Sequence, residues 1–140
     1  MEMHLQHFTI SETKDIDPTS IIDLYKANKW SAAGKPELLV KALFNSHTLI
    51  SVWDSGQLIG IGNAISDGYL VVYYPHLLIH PNYQRKGIGK LIVDKMQQKY
   101  ADFHMQMLTA DSEAIDFYKK MGFAPAGKTQ SMWIYKGDEH

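Results

Sequence analysis

A long apolar run from Tyr69 to His80, broken only by Pro75, constrains the fold more than any other feature of this chain. Its β-branched and aromatic residues fill both sets of alternating positions, which is typical of a strand buried on both faces in the middle of a sheet. Proline cannot donate to a strand ladder, so Pro75 predicts a bulge or a point where pairing stops. The run therefore predicts a sheet with helices on its faces.

Helical and extended patterns alternate on either side of this run. The small residues Ser31–Gly34 predict a mobile joint between two helices. The predicted elements are a strand at His7–Ser11, helices from Pro18 to about Trp30 and from Pro36 through Leu38, Leu39, Leu43 and Phe44, strands at Thr48–Trp53, Leu58–Ile65, Tyr69–His80 and Phe103–Leu108, a helix at Ile88–Tyr100, a helix capped by Asp111 or Ser112 that reaches Met121, and a strand at Ser131–Tyr135. Together they predict one α/β (α+β) domain over residues 1–140, with a mixed central sheet flanked by helices.

Composition narrows the class of function. The 140 residues include no cysteine, which excludes a disulfide framework, a cysteine-based zinc site and a thiol nucleophile. A net charge of −1 argues against a general nucleic-acid binder. The apolar stretches fall far short of the ~20 residues that a membrane span requires, and the N-terminus lacks a secretory pattern. We expect a cytoplasmic protein with no nucleic-acid or membrane partner.

The turn Gln84–Gly89 follows the apolar run and opens an amphipathic helix. Glycines there let the backbone approach a ligand and present N–H groups at the positive end of the helix, where phosphates bind. Residues 82–100 carry a net charge of +4, although the whole chain carries −1. The alternative is a tight turn beside a solvated lysine face. The full G-x-G-x-x-G and G-K-S/T patterns are missing, which disfavours a dinucleotide fold or a P-loop.

Two segments resemble the signature motifs of the GNAT superfamily of acyl-CoA-dependent N-acetyltransferases. The first, Leu77–Lys90, contains Q-x-x-G-x-G at Gln84, Gly87 and Gly89. The second, Ala110–Phe123, resembles the family's later helix, A-x-x-x-Y-x-x-x-G-F, and its matching residues are Ala114, Tyr118, Gly122 and Phe123. The resemblance covers about Thr48 to Tyr135. It implies a sheet with two splayed parallel strands and an enzyme that transfers an acetyl group from acetyl-CoA to a primary amine.

The resemblance also implies where acetyl-CoA binds: between the strands Tyr69–His80 and Phe103–Leu108, with Pro75 helping them part. The implied cofactor-binding residues are Leu77, Leu78, Ile79, Gln84, Arg85, Lys86, Gly87, Ile88, Gly89, Lys90, Asp111 and Tyr118. Asp111 stands where much of the family has asparagine. An aspartate accepts hydrogen bonds but does not donate them, although it can still cap a helix.

Attack of an amine on a thioester requires a base, oxyanion donors and an acid for the departing thiolate. Tyr118 matches the family's tyrosine near the CoA sulfur, and its alternative role is core packing. Strand N–H groups near Leu77 suit the oxyanion. His76 is the first candidate for the base because histidine has an unperturbed pKa near neutrality; His80, Asp111 or a water chain are alternatives. His76 and His80 lack the glutamate of the helical zinc motif, so no metal is expected.

Relatives of this kind bind the acceptor between the loop joining the first two helices and the central strand. The corresponding residues here are Trp30, Ser31, Tyr73 and Tyr74, whose aromatic rings suit an aromatic amine or a polyamine. The alternatives are acetylation of a protein lysine or α-amine, and a non-catalytic acyl-CoA-binding module. Exposed sheet edges are compatible with a homodimer.

Overall fold

The protein is described by a computed structural model over residues 8–137, and His7 of the predicted first strand lies outside that range. The strands are β1 Phe8–Ser11, β2 Thr48–Asp54, β3 Gln57–Ser66, β4 Val71–Tyr73, β5 Leu77–Ile79 and β6 Met105–Met107. The helices are α1 Pro18–Ala27, α2 Pro36–Phe44, α3 Ile88–Lys99 and α4 Ala114–Lys120, with short 3-10 helices at Ser31–Gly34 and Pro81–Tyr83. Within the described range no helix is long and apolar enough to cross a membrane.

The six strands form one mixed sheet in the order β1-β2-β3-β4-β6, and β5 pairs with β3 beside this path. Only the β4–β6 pair is parallel among these described pairs. A tight hairpin joins β2 to β3, where Asp54 pairs with Gln57. Positive φ angles at Ser55 (49°) and Gly56 (86°) match the two-residue turn that suits the twist of a hairpin. The predicted fold class is confirmed.

Helices cover both sides of the sheet. The α1 face, covered by α1 and α2, is filled by residues that include Leu24, Tyr25, Leu39, Leu49, Ile61 and Leu78. The α3 face, covered by α3, is filled by residues that include Ile50, Ile59, Val72, Ile88, Ile92 and Met96. The central strands are therefore apolar on both sides, as the sequence predicts.

The N-terminal helices begin where predicted. Asp17 accepts a hydrogen bond from the N–H of Thr19 (3.0 Å), and Pro18 occupies the first turn. The first helix ends at Ala27, before the predicted Trp30. Residues 31–34 form a 3-10 helix where a mobile joint was predicted, with the N–H of Lys35 bonded to the carbonyl of Ala32.

The long strand predicted over Tyr69–His80 is interrupted, and this interruption organises the site. Ile65 of β3 pairs with Tyr73, whereas Gly62 pairs with Leu77, so three residues of one chain segment oppose two of the other. The predicted bulge at Pro75 is thus confirmed as one extra residue. It reverses which side chains face which helices. Val72 packs on the α3 face before the bulge, whereas Leu78 packs on the α1 face after it.

The C-terminal quarter departs most from the prediction. The fourth helix starts at Ala114 and ends at Lys120. Asp111, one of the two predicted caps of this helix, lies in the turn before it, where its carboxylate accepts a hydrogen bond from the N–H of Ser112 (2.7 Å). The strand predicted at Ser131–Tyr135 is wrong, because this segment has no ladder partner among the described residues. A strand needs a neighbouring edge as well as suitable residues, and local propensity does not supply one.

Gly62 of β3 allows close packing of α3 on the sheet, so Gly62→Ala is expected to lower the free energy of unfolding. An added Cβ would lie 2.7 Å from Cγ2 of Ile92, a β-branched atom that cannot swing away. Overpacking of this kind costs about 1–3 kcal/mol, which chemical denaturation would measure. Gly34→Ala is the matched control because its Cβ would meet no heavy atom within 4 Å. Equal midpoints for both variants would show that α3 shifts without cost.

Candidate active site

A narrow crevice opens where β4 and β6 part. The last bond between them runs from the N–H of Tyr74 to the carbonyl of Met107 (3.0 Å). The next N–H that a regular strand would direct at β6 belongs to His76, and it donates instead to Oδ1 of Asn63 (3.1 Å). Beyond this point β5 pairs only with β3 among the described strands. The crevice has a volume of about 20 Å³ and is lined by Gly62, Asn63, Tyr74, His76, Leu77, Ile92, Val93, Met96, Leu108 and Tyr118.

One wall of the crevice is an unpaired strand edge. The carbonyl of His76 accepts from the N–H of Asn63 (3.2 Å), and the N–H of His80 donates to the carbonyl of Ile59 (2.7 Å), so both groups point toward β3. Backbone groups alternate in direction along a strand, so those of Leu77 and Ile79 point the other way, into the gap. The carbonyl of Ile79 accepts from Nε2 of Gln84 (3.2 Å). The edge can therefore pair with an extended chain that carries amide groups.

The predicted residue Leu78 does not belong to this edge. Its backbone pairs with Ile61 of β3, and its side chain lies in the core of the α1 face with 2% exposure. Alternation along the strand explains the correction, since only every second residue of β5 can face the crevice.

The glycine turn forms the positive end of α3. Gly87 adopts a left-handed conformation with φ of 85° at the N-cap, and no side chain caps the helix there. Arg85 also has a positive φ of 65°. The first-turn N–H groups of a helix have no intrahelical partners, so this end can bind an anion through its backbone. The Lys86 ammonium lies 5.5 Å from the centre of the Tyr83 ring.

Gly89 lies where α3 meets α4. A Cβ at this position would approach Cζ of Phe117 at 3.4 Å, so glycine permits the close approach of α4. The helix α4 in turn carries Tyr118, whose ring packs edge-on against Phe117 and Phe123 at centroid distances of 5.0 and 5.8 Å. Burial raises the pKa of the Tyr118 phenol to about 12. The hydroxyl group thus keeps its proton throughout the neutral range.

The bulge turns His76 toward α1. Its Nδ1 lies 2.7 Å from the hydroxyl oxygen of Tyr25, and its ring packs against Trp30 with 5.0 Å between ring centroids. Tyr25 is fully buried, and burial raises the pKa of its phenol. His76 and Tyr118 both line the crevice. No sequence signal indicates Tyr25, because 51 residues separate it from His76.

The residues predicted for the acceptor site divide into two groups. Trp30 lies beside His76, and the adjacent Ser31 has its hydroxyl oxygen 3.1 Å from that of Tyr135. Tyr73 and Tyr74 point to opposite sides of the sheet, as neighbours in a strand do. Tyr74 packs on the α3 face, where its hydroxyl group donates to Oε1 of Gln106 (2.7 Å). The sheet therefore separates Tyr74 from Trp30, although Tyr74 still lines the crevice.

The remaining candidates serve turns. Nδ1 of His80 accepts from the N–H of Asn82 (3.1 Å) at the start of a 3-10 helix. Asp111 is exposed and holds the turn before α4. Across residues 8–137, no group of three or more histidine, cysteine, aspartate or glutamate side chains is arranged to hold a metal ion.

Comparison with known proteins gives a consistent result. A family model described as an acetyltransferase (GNAT) domain matches residues 13–133. An uncharacterized N-acetyltransferase of Porphyra purpurea is 29% identical over 141 residues, covering 94% of this chain and 80% of its own length. A GCN5-related N-acetyltransferase, chloroplastic, of Arabidopsis thaliana is 34% identical over 84 residues, covering 57% of this chain and 33% of that protein. A GNAT-family acetyltransferase structure from Streptococcus pneumoniae matches with a TM-score of 0.79 at 25% identity, covering 92% of this chain and 98% of its own.

Proposed function

The chain belongs to the GNAT family of acetyltransferases, and on that premise we propose that it transfers the acetyl group of acetyl-CoA to the primary amine of a small molecule. The observation that carries the proposal is the crevice itself. One opening is lined by the unpaired edge of β5 and by the residues Tyr118 and His76. Direct transfer within a ternary complex needs these groups in one place.

The site suits acetyl-CoA in two respects. The amide-bearing pantetheine arm matches the outward C=O of Leu77 and the N–H of Ile79, which leaves the outward N–H of Leu77 for the acyl oxygen. The pyrophosphate matches the uncapped end of α3, where the backbone from Arg85 to Lys90 presents donors. When bound, acetyl-CoA supplies an activated acyl carbonyl. An N–H of β5 near Leu77 is the donor that we assign to the oxyanion.

His76 is the base in this proposal, and its hydrogen bond with Tyr25 determines which ring nitrogen can accept the proton. A neutral imidazole accepts a proton at Nε2 only if its hydrogen is on Nδ1. Nδ1–H must then donate to the hydroxyl oxygen of Tyr25, 2.7 Å away. The reverse arrangement, with Tyr25 donating to Nδ1, leaves Nε2 as a donor. The two arrangements give opposite results when the Tyr25 hydroxyl group is removed.

The surroundings of His76 favour a small amine over a protein chain. Trp30 offers an aromatic edge beside the imidazole, which suits an aromatic or cationic amine. The C-terminal segment reaches the same loop through Tyr135 and Ser31, and thereby narrows the approach to it. We retain a cytoplasmic location as a prediction, although the Arabidopsis relative is named chloroplastic.

Calorimetric titration with acetyl-CoA tests the cofactor site, with adenosine diphosphate as the control ligand. We expect micromolar binding that depends on the pantetheine arm. Gly87→Val should weaken it by more than about tenfold, since a β-branched residue in the left-handed region is strained by at least ~1–2 kcal/mol. Arg85→Ala should weaken it less than about threefold, because the exposed side chain adds one screened charge.

Two results would contradict this account of the cofactor site. Equal losses in the two variants would show that side chains rather than the backbone bind the phosphates. No binding to the unaltered protein would leave the glycine turn without a ligand and would remove the proposed function with it.

A panel of amines tests the acceptor class, with release of the CoA thiol as the readout. The chain has no cysteine, so its own thiols give no background. Turnover of arylalkylamines or polyamines is the expected result. Turnover of lysine peptides alone would assign a protein substrate, and cofactor binding without any turnover would identify a non-catalytic acyl-CoA-binding module.

A further inference from the structure

Asn63 has the only polar side chain among residues 58–64, the buried part of β3. It is 5% exposed, and both ends of its amide group are hydrogen-bonded. Oδ1 accepts from the N–H of His76 (3.1 Å), and Nδ2 donates to Oγ of Ser46 (3.0 Å). A buried amide opposes folding unless such bonds satisfy it. The two partners therefore indicate what this side chain does.

The side chain of Asn63 takes the place of a main-chain group in the sheet. Gly62 pairs with Leu77, so the following pair of the ladder is Asn63 with His76. The two residues of a hydrogen-bonded antiparallel pair normally exchange both N–H···O=C bonds. Here the N–H of Asn63 donates to the carbonyl of His76 (3.2 Å), whereas the N–H of His76 donates to the side-chain oxygen of Asn63. The side chain thus completes the ladder where the bulge displaces the backbone.

The bond to Asn63 determines which neighbouring strand the N–H of His76 faces. Two residues earlier, Tyr74 directs its N–H at Met107 of β6, and a regular strand would direct the N–H of His76 the same way. Oδ1 of Asn63 instead holds this N–H on the β3 side, away from β6. An apolar side chain at position 63 offers no acceptor for it.

The orientation of the Asn63 amide is fixed from its other end. The hydroxyl group of Ser46, a residue 4% exposed, donates to the carbonyl of Ala42 in α2 (3.0 Å). Its oxygen therefore accepts from Nδ2 of Asn63. A rotated amide would bring its NH₂ group against the N–H of His76, donor against donor. The hydrogen bonds from Ala42 to His76 thus keep Oδ1 at the bulge.

We propose that Asn63 is a positioning residue of this enzyme, whose side-chain oxygen holds the N–H of His76 toward β3 and thereby keeps the crevice open and the imidazole on the α1 face. Asn63 acts through the main chain of His76, whereas Tyr25 contacts its ring. The inference rests on the proposed function, in which the crevice binds acetyl-CoA and His76 is the base.

Calorimetric titration with acetyl-CoA compares two substitutions of similar size. Asn63→Val removes the oxygen and does not reach farther into the crevice, so the N–H of His76 can return to the regular direction. The affinity should fall about tenfold or more, as for the loss of one buried hydrogen bond, and kcat/KM for the amine should fall with it. Asn63→Asp keeps an oxygen that accepts in either state of ionisation, and should hold the affinity within about threefold of the unaltered protein.

Ser51→Ala is the matched control for stability. Ser51 of β2 is 1% exposed, lies outside the crevice, and accepts from Nε1 of Trp53 (2.8 Å). Its substitution also removes a buried acceptor, so it should lower the denaturation midpoint as Asn63→Val does. Its affinity for acetyl-CoA should stay at the unaltered value.

The outcomes separate this inference from the proposed function. Affinity that is lost in Asn63→Val but retained in Asn63→Asp and Ser51→Ala supports the positioning role. Normal affinity in Asn63→Val, or affinity that follows the denaturation midpoint in all three variants, would overturn it and leave the cofactor site in place. Failure of the unaltered protein to bind acetyl-CoA would instead overturn the proposed function, and this inference with it.

Discussion

Tyr118→Phe is expected to lower kcat by about 100-fold or more, within the range that a positioned acid or donor contributes, with the affinity for acetyl-CoA nearly unchanged. The substitution removes one hydroxyl group and keeps the ring that packs against Phe117 and Phe123. Steady-state thiol release and calorimetry on the same variant measure the two quantities separately. Tyr69→Phe is the control, because that ring is 89% exposed and should turn over at the normal rate. Unchanged turnover in Tyr118→Phe would remove Tyr118 from the mechanism.

The raised pKa of Tyr118 favours hydrogen-bond donation over proton transfer in the proposed mechanism. Burial raises it to about 12, whereas a thiol has a pKa near 8.5. Complete proton transfer to the thiolate is therefore uphill by roughly 3–4 pKa units, or about 5 kcal/mol. A hydrogen bond to the developing thiolate carries no such cost, so we expect Tyr118 to donate a hydrogen bond and keep its proton.

The raised pKa of Tyr118 also fixes the direction in which activity and stability should change with pH. The protonated phenol dominates below the raised pKa, so loss of activity through ionisation of Tyr118 belongs near pH 12 rather than near pH 10. The same shift stabilises the fold below pH 10, and that contribution disappears as the pH rises through about 12. A fluorinated tyrosine at position 118, with a more acidic hydroxyl group, should move the alkaline limb of kcat downward. An unmoved limb would assign it to another group.

His76→Gln is expected to lower kcat/KM by about 100-fold or more at neutral pH, which is the usual contribution of a general base. It should also remove the acidic limb of the pH profile, because glutamine does not titrate. The control is His104→Gln, an exposed histidine outside the crevice. An acidic limb that survives in His76→Gln would assign the base to another group, such as Asp111 or a water chain.

Tyr25→Phe then identifies the proton arrangement of His76. If Nδ1–H donates to Tyr25, the variant loses the acceptor that holds the imidazole, and kcat/KM should fall by about tenfold, equivalent to ~1.4 kcal/mol or one hydrogen bond. A rise in kcat/KM would mean that Tyr25 donates to Nδ1 in the resting enzyme, so that His76 acts through Nε2–H as a donor. We expect the fall.

Features that depend on neighbouring residues could be predicted from the sequence. Asp17 and Pro18 start α1 through contacts within one turn, and the hairpin at Asp54–Gln57 needs only two residues with positive φ. Pro75 predicts the bulge because the missing N–H is a property of the residue itself. The glycine turn before α3 is specified in the same local way.

Features that depend on residues far apart in the chain could not be predicted from the sequence. Tyr25 binds His76 across 51 positions, and nothing in the sequence around either residue indicates the other. Leu38 has the spacing of a core residue but is 64% exposed, because no element within residues 8–137 covers that side of α2. The segment 131–135 has the composition of a strand, yet strand formation requires an edge beside it. Whether Tyr73 or Tyr74 lies on the same face of the sheet as Trp30 depends on which helices pack on each face, and the strand sequence alone does not specify this.

The single extra residue at Pro75 determines two structural properties at once: where the pairing of β4 with β6 ends, and which face of the sheet His76 lies on. It ends the pairing of β4 with β6, and it also exchanges the faces of the strand so that His76 meets Tyr25 and Trp30. Deleting one residue there would close the crevice and turn the imidazole toward α3 in the same step. The crevice and the surroundings of His76 thus depend on the same bulge, so a change of strand length at this point alters both together.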